Sequence, residues 1–510
     1  MVIDNKILVL DFGGQYNQSI VKRVRDLNVY CEIYPYSISV DKIIEINPKG
    51  IIFTGGPSSV YLKDAPLVDI EIFNLGIPIL GLCYGCQLIG YLNGCKVVSG
   101  NVKEYGKTLI NYDLNSVLLK GNNSSDICWM SHSDYISELS DDFDVIGYTS
   151  DCPYAIIKYR DKDVYGVQFH PEVSHTNNGD LIFKNFIYDI CRAKSNWFID
   201  ELSLKLINDI KDCVKDDRVL LGLSGGVDST VLALLLSKAI GKNLYCVYVD
   251  HGLMRKNETK EICDIFSSWD MNFICLDKSE LFLEHLKGVV DPEDKRKTIG
   301  ELFVRVFESE AVNYQNVKYL AQGTIYPDVI ESGLNNSATI KSHHNVGGLP
   351  KDLNFEILEP FRYLFKDEIR ELGLAIGLDY QQVYRQPFPG PGLAIRIIGE
   401  VNQYKLDILK EADYIFRSEL EKYDIVKDIN QYFVVLTNTK TVGVMGDYRT
   451  YDYTIALRAV STSDFMTADF VRIPYDILES ISSNIINKVK GINRVVYDIT
   501  TKPPSTIEWE

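Results

Sequence analysis

Residues 77–90 read IPILGLCYGCQLIG, an apolar run with a glycine-bracketed cysteine at its centre. Residues 72–95 around it carry no charge at all, a length that could span a membrane. Five glycines, Pro78, Gln87 and two asparagines interrupt that stretch. The better reading is a buried strand, IPILGLC, then a tight turn, then a helix from about Gln87. A short apolar strand feeding a glycine turn and a helix is the repeating unit of an open α/β sheet, whose chemistry sits at the carboxyl ends of its strands.

The same unit recurs outward from this point. KILVLDFGGQ, GIIFTGGPSS and VYGVQFHPE are further apolar strands ending in glycine-rich or polar turns. The stretch CRAKSNWFIDELSLKLINDI reads as a connecting helix, after which RVLLGLS, residues 218–224, opens a second α/β unit. In RQPFPGPGLAIR, residues 385–396, PFPGPG cannot continue a helix and marks a hinge. The expectation is α/β: two open, mainly parallel-sheet α/β domains, residues 1–195 and 196–385, followed by a smaller α+β domain, 386–510.

With 510 residues, 46% hydrophobic and 24% charged, the chain can bury full cores without disulfide staples. Its net charge of -17 offers nucleic acid and anionic membrane no long-range attraction, although a local basic pocket can still hold a phosphate. Eleven scattered cysteines without zinc-knuckle spacing read as reduced thiols. MVIDNKILVLDFGG reads as a first strand rather than a leader. A cytoplasmic protein is expected.

Two cysteines compete in GLCYGCQ. Cys83 sits between Gly81-Leu82 and Tyr84-Gly85, the pattern of a nucleophile elbow with Cys in place of Ser. It is held near a helix N-terminus, where backbone N–H groups favour negative charge. Cys86 falls one turn later and reads as a small buried side chain. In QFHPEVSH, residues 168–175, His170 and Glu172 are two apart at a strand end, which puts both side chains on one face. His170 suits a proton shuttle for Cys83, and Glu172 suits its orienting carboxylate. Together GLCYGCQ and FHPE resemble the class I glutamine amidotransferases over about residues 1–195. That resemblance implies that Cys83 attacks the amide of glutamine and leaves a thioester that water hydrolyses. It also implies that the N–H groups of Gly56 and Tyr84 hold the oxyanion, that Gln87 helps to bind glutamine, and that ammonia is released.

The second unit offers a consumer for ammonia. In LGLSGGVDSTVLALLLSKAIG a strand ends at Leu223, a glycine loop follows, and a helix starts near Asp228, so free N–H groups converge as a phosphate cradle. A capped helix after a tight turn would give the same bare spacing, and the lysine of a Walker A loop is missing. The string Ser224, Gly225, Gly226, Val227, Asp228, Ser229, Thr230 resembles the pyrophosphate loop of the N-type ATP pyrophosphatases. This implies ATP as co-substrate, with Asp228 positioning Mg²⁺. VYVDHG, residues 247–252, would frame the adenine. Asp328 and Glu331 in QGTIYPDVIES, otherwise a solvated carboxylate pair, would face ATP and its metal.

The module order, with TIKSHHNVGGLP as a lid, RQPFPGPGLAIR as entry to a dimerisation domain, and RVVYDITTKPPSTIEWE as C-terminus, resembles the GMP synthetase family over the whole chain. VGVMGDYRTYDY fits it as well. The resemblance implies that the acceptor is xanthosine 5′-monophosphate (XMP), adenylated at its 2-oxo oxygen and contacted by Arg296, Lys502 and Glu508. It further implies a homodimer formed through the last domain. His343 and His344 are adjacent, point apart and have no cysteine partner, which favours a lid or phosphate role over a metal site. Composition alone would leave DKRKTIG, around Arg296, as a solvated loop and the tail as a frayed end. Rival readings keep both modules and change the acceptor, to an NAD precursor or a tRNA, or make the chain an idle nucleotide-binding regulator.

Overall fold

A computed structural model describes residues 5–314, 316–332, 355–462, 465 and 467–510. The lid stretch with Lys341, Ser342, His343 and His344 lies outside the described residues. The chain packs as two compact units, Met1–Leu202 with Pro327–Ile340, and Ser203–Tyr326 with Lys341–Glu510.

The first unit is built on one nine-stranded sheet. Its strands are β1 (Ile7–Asp11), β2 (Cys31–Pro35), β3 (Gly50–Phe53), β4 (Ile79–Leu82), β5 (Lys96–Tyr112), β6 (Ser125–Glu138), β7 (Phe143–Tyr148), β8 (Ile156–Tyr159) and β9 (Val164–Val167). The order is β2-β1-β3-β4-β9-β8-β7-β5-β6. From β2 to β9 every pairing is parallel, and from β9 to β6 every pairing is antiparallel. The central strands GIIF, ILGL and VYGV are buried at every residue, as a sheet covered on both faces requires.

The second unit carries an all-parallel sheet of β10 (Arg218–Leu223), β11 (Leu244–Asp250), β12 (Asn272–Asp277), β13 (Val317–Ala321) and β14 (Glu356–Leu358), ordered β12-β11-β10-β13-β14. It also carries a sheet led by the long antiparallel hairpin β15 (Gln431–Met445) and β16 (Tyr448–Ser461), with β17 (Asp469–Phe470) and β18 (Ile492–Tyr497) beside β16. The helices Gln403–Leu420 and Tyr475–Lys488 pack with this sheet, which gives the expected α+β character. One core runs through the whole unit: Leu220, Val247 and Phe307 belong to the same buried cluster as Leu409, Val434, Ile455 and Ile481. No described helix is long and apolar enough to cross a membrane.

The helix after β4 runs Tyr84–Leu92, three residues earlier than the glycines suggested. Cys83 makes the whole turn by itself at φ 51°, ψ −104°, so the chain is already helical at the next residue. Gly85 is obligatory there, because a Cβ would lie 2.7 Å from both the Cβ and the carbonyl oxygen of Phe53. Gly85→Ala is expected to lower unfolding free energy by about 1–3 kcal/mol, the usual range for overpacking, and urea unfolding measures it.

Candidate active site

Because β3, β4 and β9 are parallel neighbours, the loops that follow them leave one edge of the sheet side by side. These loops are Thr54–Ser58, the Cys83 turn and Gln168–Glu172. A Cβ on Gly55 would stand 3.4 Å from His170 Cε1 and 3.7 Å from Cys83 Cβ, which shows how closely the three loops converge. Cys83 is tied to β9 by its own N–H, donated to the Val167 carbonyl at 2.7 Å.

His170 holds Cys83 on one side and Glu172 on the other. Its Nδ1 is 2.7 Å from Glu172 Oε1, and all three residues are buried. Burial of the ring works against its charge. The hydrogen bonds to Cys83 and Glu172, together with the carboxylate's charge, outweigh that and raise the imidazole to about 10. The pair is supported from behind, since Arg23 Nε donates to the Glu172 carbonyl at 3.0 Å and Thr176 Oγ1 donates to the His170 carbonyl at 2.7 Å. The Tyr16 ring stands edge-on to His170, with centroids 5.0 Å apart. Cys86 is fully buried, and burial pushes its thiol well up, with Cys152, Cys83 and Cys95 adding to the effect. Cys83 is therefore the cysteine with the machinery.

A cavity of about 330 Å³ opens onto Cys83, bounded by Gly56, Tyr84, Gln87 and the stretch Ser131–Asp134. Tyr84 is the first residue of its helix, so its N–H has no intrahelical acceptor and is available at the cavity. Gln87 Nε2 donates to the Asp134 carbonyl at 2.7 Å, fixing its amide in the wall. The cavity is small, polar and has the nucleophile in its wall, dimensions suited to an amino acid side-chain amide.

The second loop forms as the sequence implied. β10 ends at Leu223, Gly225 turns at φ +72°, and the helix Val227–Ile240 starts from Gly226. Its hydroxyls are organised internally: Ser224 Oγ lies 3.0 Å from Ser229 Oγ and accepts from Gly226 N at 3.2 Å, while Ser229 Oγ and Thr230 Oγ1 donate to the Gly226 carbonyl at 3.0 and 2.8 Å. Asp228 Oδ1 is buried there without a hydrogen-bond partner, an oxygen donor suited to a hard cation. Asp328 and the backbone of Glu331 lie in the helix Tyr326–Ser332, which from Pro327 onward belongs to the first unit.

Of the residues expected at the acceptor nucleotide, Arg296 and Glu508 meet the same C-terminal segment. Arg296 Nη2 donates to the Glu510 carbonyl oxygen at 2.6 Å, and Glu508 is gripped by Arg396 at 2.7 and 3.1 Å and by Gln431 at 2.8 Å. Lys502 Nζ donates to the Phe465 carbonyl at 2.7 Å. The sequence reading missed the fully buried cations that anchor this tail. Lys295 pairs with Glu510, and Arg458 donates to the carbonyls of Thr500 and Thr506 at 2.6 and 3.2 Å. A charge inside an apolar run, as Arg396 is within GLAIRIIG, was the available signal. In the first unit it missed Tyr16 and Ser131–Asp134, which carry no motif of their own.

Fold and site define a class I glutamine amidotransferase unit joined to a PP-loop unit. Residues 8–190 match the family Glutamine amidotransferase class-I, residues 199–288 match the PP-loop domain, and residues 418–509 match the GMP synthase C terminal domain. Glutamine-hydrolyzing GMP synthase of Caldicellulosiruptor saccharolyticus is 58% identical over 506 residues, covering 99% of each chain. The enzyme of the same name from Treponema denticola is 58% identical over 511 residues, covering 100% of this chain and 98% of its own. That from Finegoldia magna is 57% identical over 505 residues, 99% of each. The chain belongs to the glutamine-hydrolyzing GMP synthase family, ligases that carry a glutamine amidotransferase domain.

The raised His170 sets a pH window. Its folded value, about 10, lies above the ordinary 6.5, so the stabilisation from its partners is complete below about pH 6.5 and is lost as pH rises towards 10. The difference in melting temperature between the native chain and His170→Asn should shrink across that interval. A difference that stays constant would contradict the assignment.

Proposed function

We propose that this chain converts XMP to GMP, with glutamine as nitrogen donor and ATP as activator, and releases glutamate, AMP and pyrophosphate. The observation that carries this reading is the coexistence, in one chain of this family, of the Cys83–His170–Glu172 constellation and a complete Ser224–Thr230 loop. The first suits release of ammonia from a side-chain amide. The second suits an adenylation that makes ammonia useful.

In the first unit the Cys83 sulfur attacks the glutamine amide carbon. His170 carries the proton to the departing ammonia, and Glu172 holds the ring in the tautomer that allows this. The N–H groups of Gly56 and Tyr84 receive the oxyanion, a donor of this kind supplying about 3 kcal/mol of transition-state stabilisation. Gln87 shapes the wall that seats the substrate, and water then cleaves the thioester.

In the second unit Ser224, Gly225, Gly226, Val227, Asp228, Ser229 and Thr230 hold the β,γ-phosphates while the 2-oxo oxygen of XMP attacks the α-phosphorus. Asp228 would hold a Mg²⁺, whose role is to neutralise charge on the leaving pyrophosphate. Arg296, Lys502 and Glu508 serve XMP. Ammonia then displaces AMP. The chain is divided functionally at 1–195, 196–385 and 386–510, works in the cytoplasm, and binds neither nucleic acid nor membrane.

Product analysis with Mg²⁺-ATP, XMP and either glutamine or ammonium tests the assignment. Cys83→Ala should lose glutamine-driven GMP formation by a factor of 10³ or more, on the order expected for loss of a nucleophile, and retain the ammonium-driven reaction. Pyrophosphate formation without XMP, or none with it, would point to another acceptor.

A homodimer through the last domain is supported by the far half of the β15–β16 hairpin, where Val444 is 75% and Tyr448 80% exposed beside exposed Val442 and Tyr451. Apolar side chains this open on adjacent strands favour a covering partner. Tyr448→Asp together with Val444→Asp should turn a dimer into a monomer in sedimentation equilibrium.

A further inference from the structure

A second buried histidine–carboxylate pair lies beside the glutaminase cavity, whose wall includes His132. The β5–β6 ladder slips between Ser99 and Glu104, and the first pair formed after the slip is Glu104 with His132. Both residues are 7% exposed, and His132 Nε2 lies 3.2 Å from Glu104 Oε2. The carboxylate is anchored at its other oxygen by Thr149 Oγ1, which donates at 2.9 Å. Thr149 Oγ1 in turn accepts from the backbone N–H of Cys152 at 2.8 Å.

His132 belongs to the stretch Ser131–Asp134 that walls the cavity, and the backbone of this stretch touches the machinery twice. The Ser131 carbonyl is 3.8 Å from Cys83 Sγ, and the Asp134 carbonyl receives the Gln87 amide. Displacement of this stretch by one residue would move both carbonyls away. An antiparallel ladder that has already slipped is poorly defended against a further slip by apolar packing alone, because residues on either side of a bulge present alternative faces. A buried histidine–carboxylate pair is costly unless its partners meet, and this register brings Nε2 and Oε2 to 3.2 Å, although without the alignment of a hydrogen bond, while a shifted register would part them.

We propose that Glu104, through His132, is a positioning residue for glutamine hydrolysis, fixing the register of Ser131–Asp134 against Cys83 and Gln87. The proposal rests on the reading of Cys83 as the glutaminase nucleophile. Cys152 lies close enough that one donor atom from each of Glu104, His132 and Cys152 falls within 4.8 Å of the others, so a bound transition metal is the rival arrangement.

Steady-state glutaminase kinetics on the full chain, with ammonium-driven GMP formation as internal control, separate these possibilities. Glu104→Ala should raise the KM for glutamine about tenfold or more with a smaller change in kcat, since displacing a substrate-positioning group by around 1 Å can cost up to 10²-fold. The ammonium-driven rate should not change. Glu104→Gln, which keeps an acceptor for Thr149 and a polar group for His132, should recover most of the loss, and Thr149→Val should lie between. If Glu104→Ala does not fold, the Gln and Val variants carry the test.

An unchanged KM in every folded variant overturns the proposal. So does an equal loss in Glu104→Ala and Cys152→Ser, with stoichiometric zinc in the native protein by elemental analysis, which would establish the metal arrangement. Glutamine hydrolysis surviving in Cys83→Ala would instead remove the reading on which the proposal rests, and so the two failures are distinguishable.

Discussion

The glutaminase half of the molecule depends on a single backbone constraint, the left-handed turn at Cys83. A non-glycine residue held at φ 51° is strained, typically by about 1–3 kcal/mol, and it persists because everything around it leaves no other path. Its N–H is bonded to β9, Gly85 fits against Phe53 only without a side chain, and the next residue is already helical. The strain lifts the sulfur out of the sheet edge, into the space that the β3 and β9 loops share. Without that turn, His170 and Glu172 would form a pair with nothing to serve.

Charge in this half is handled by enclosure. Isolated burial would neutralise His170, yet a carboxylate on one nitrogen and a thiol close by favour its cationic form more strongly than burial opposes it. The balance favours the protonated imidazole at the edge of a polar cavity, the form that can deliver a proton to a departing amine. Arg23 and Thr176 contribute by fixing the carbonyls of the same loop, so that the ring's position is set from outside as well as by its partners.

The second unit faces a different problem, the burial of cations in a chain of net charge -17. Lys295, Arg396 and Arg458 are all fully buried, and each is directed at the C-terminal segment rather than at solvent. Removing either partner of such pairs would leave a buried charge uncompensated, which costs far more than an exposed pair contributes. The tail that composition would leave frayed is thus locked to the core, and Arg296 and Glu508 are held with it.

The sequence by itself determined the local elements and the candidate chemical groups. Strand–glycine–helix units, the choice of Cys83 over Cys86, the spacing of His170 and Glu172, and the loop from Ser224 to Thr230 are all short-range properties, governed by side-chain size, turn geometry and periodicity within a few residues. What the tertiary structure decided is which distant stretches meet. The order β3-β4-β9 brings three loops to one edge, although β9 follows β4 by some eighty residues in the chain. The slipped β5–β6 ladder supplies Ser131–Asp134 and the Glu104–His132 pair, and the core that β10–β14 share with the C-terminal sheet buries Lys295 and Arg396 against the tail. Apart from the charge of Arg396 inside an apolar run, these contacts have no local signature, because strand order, ladder register and the pairing of buried charges are set by packing between segments far apart in sequence.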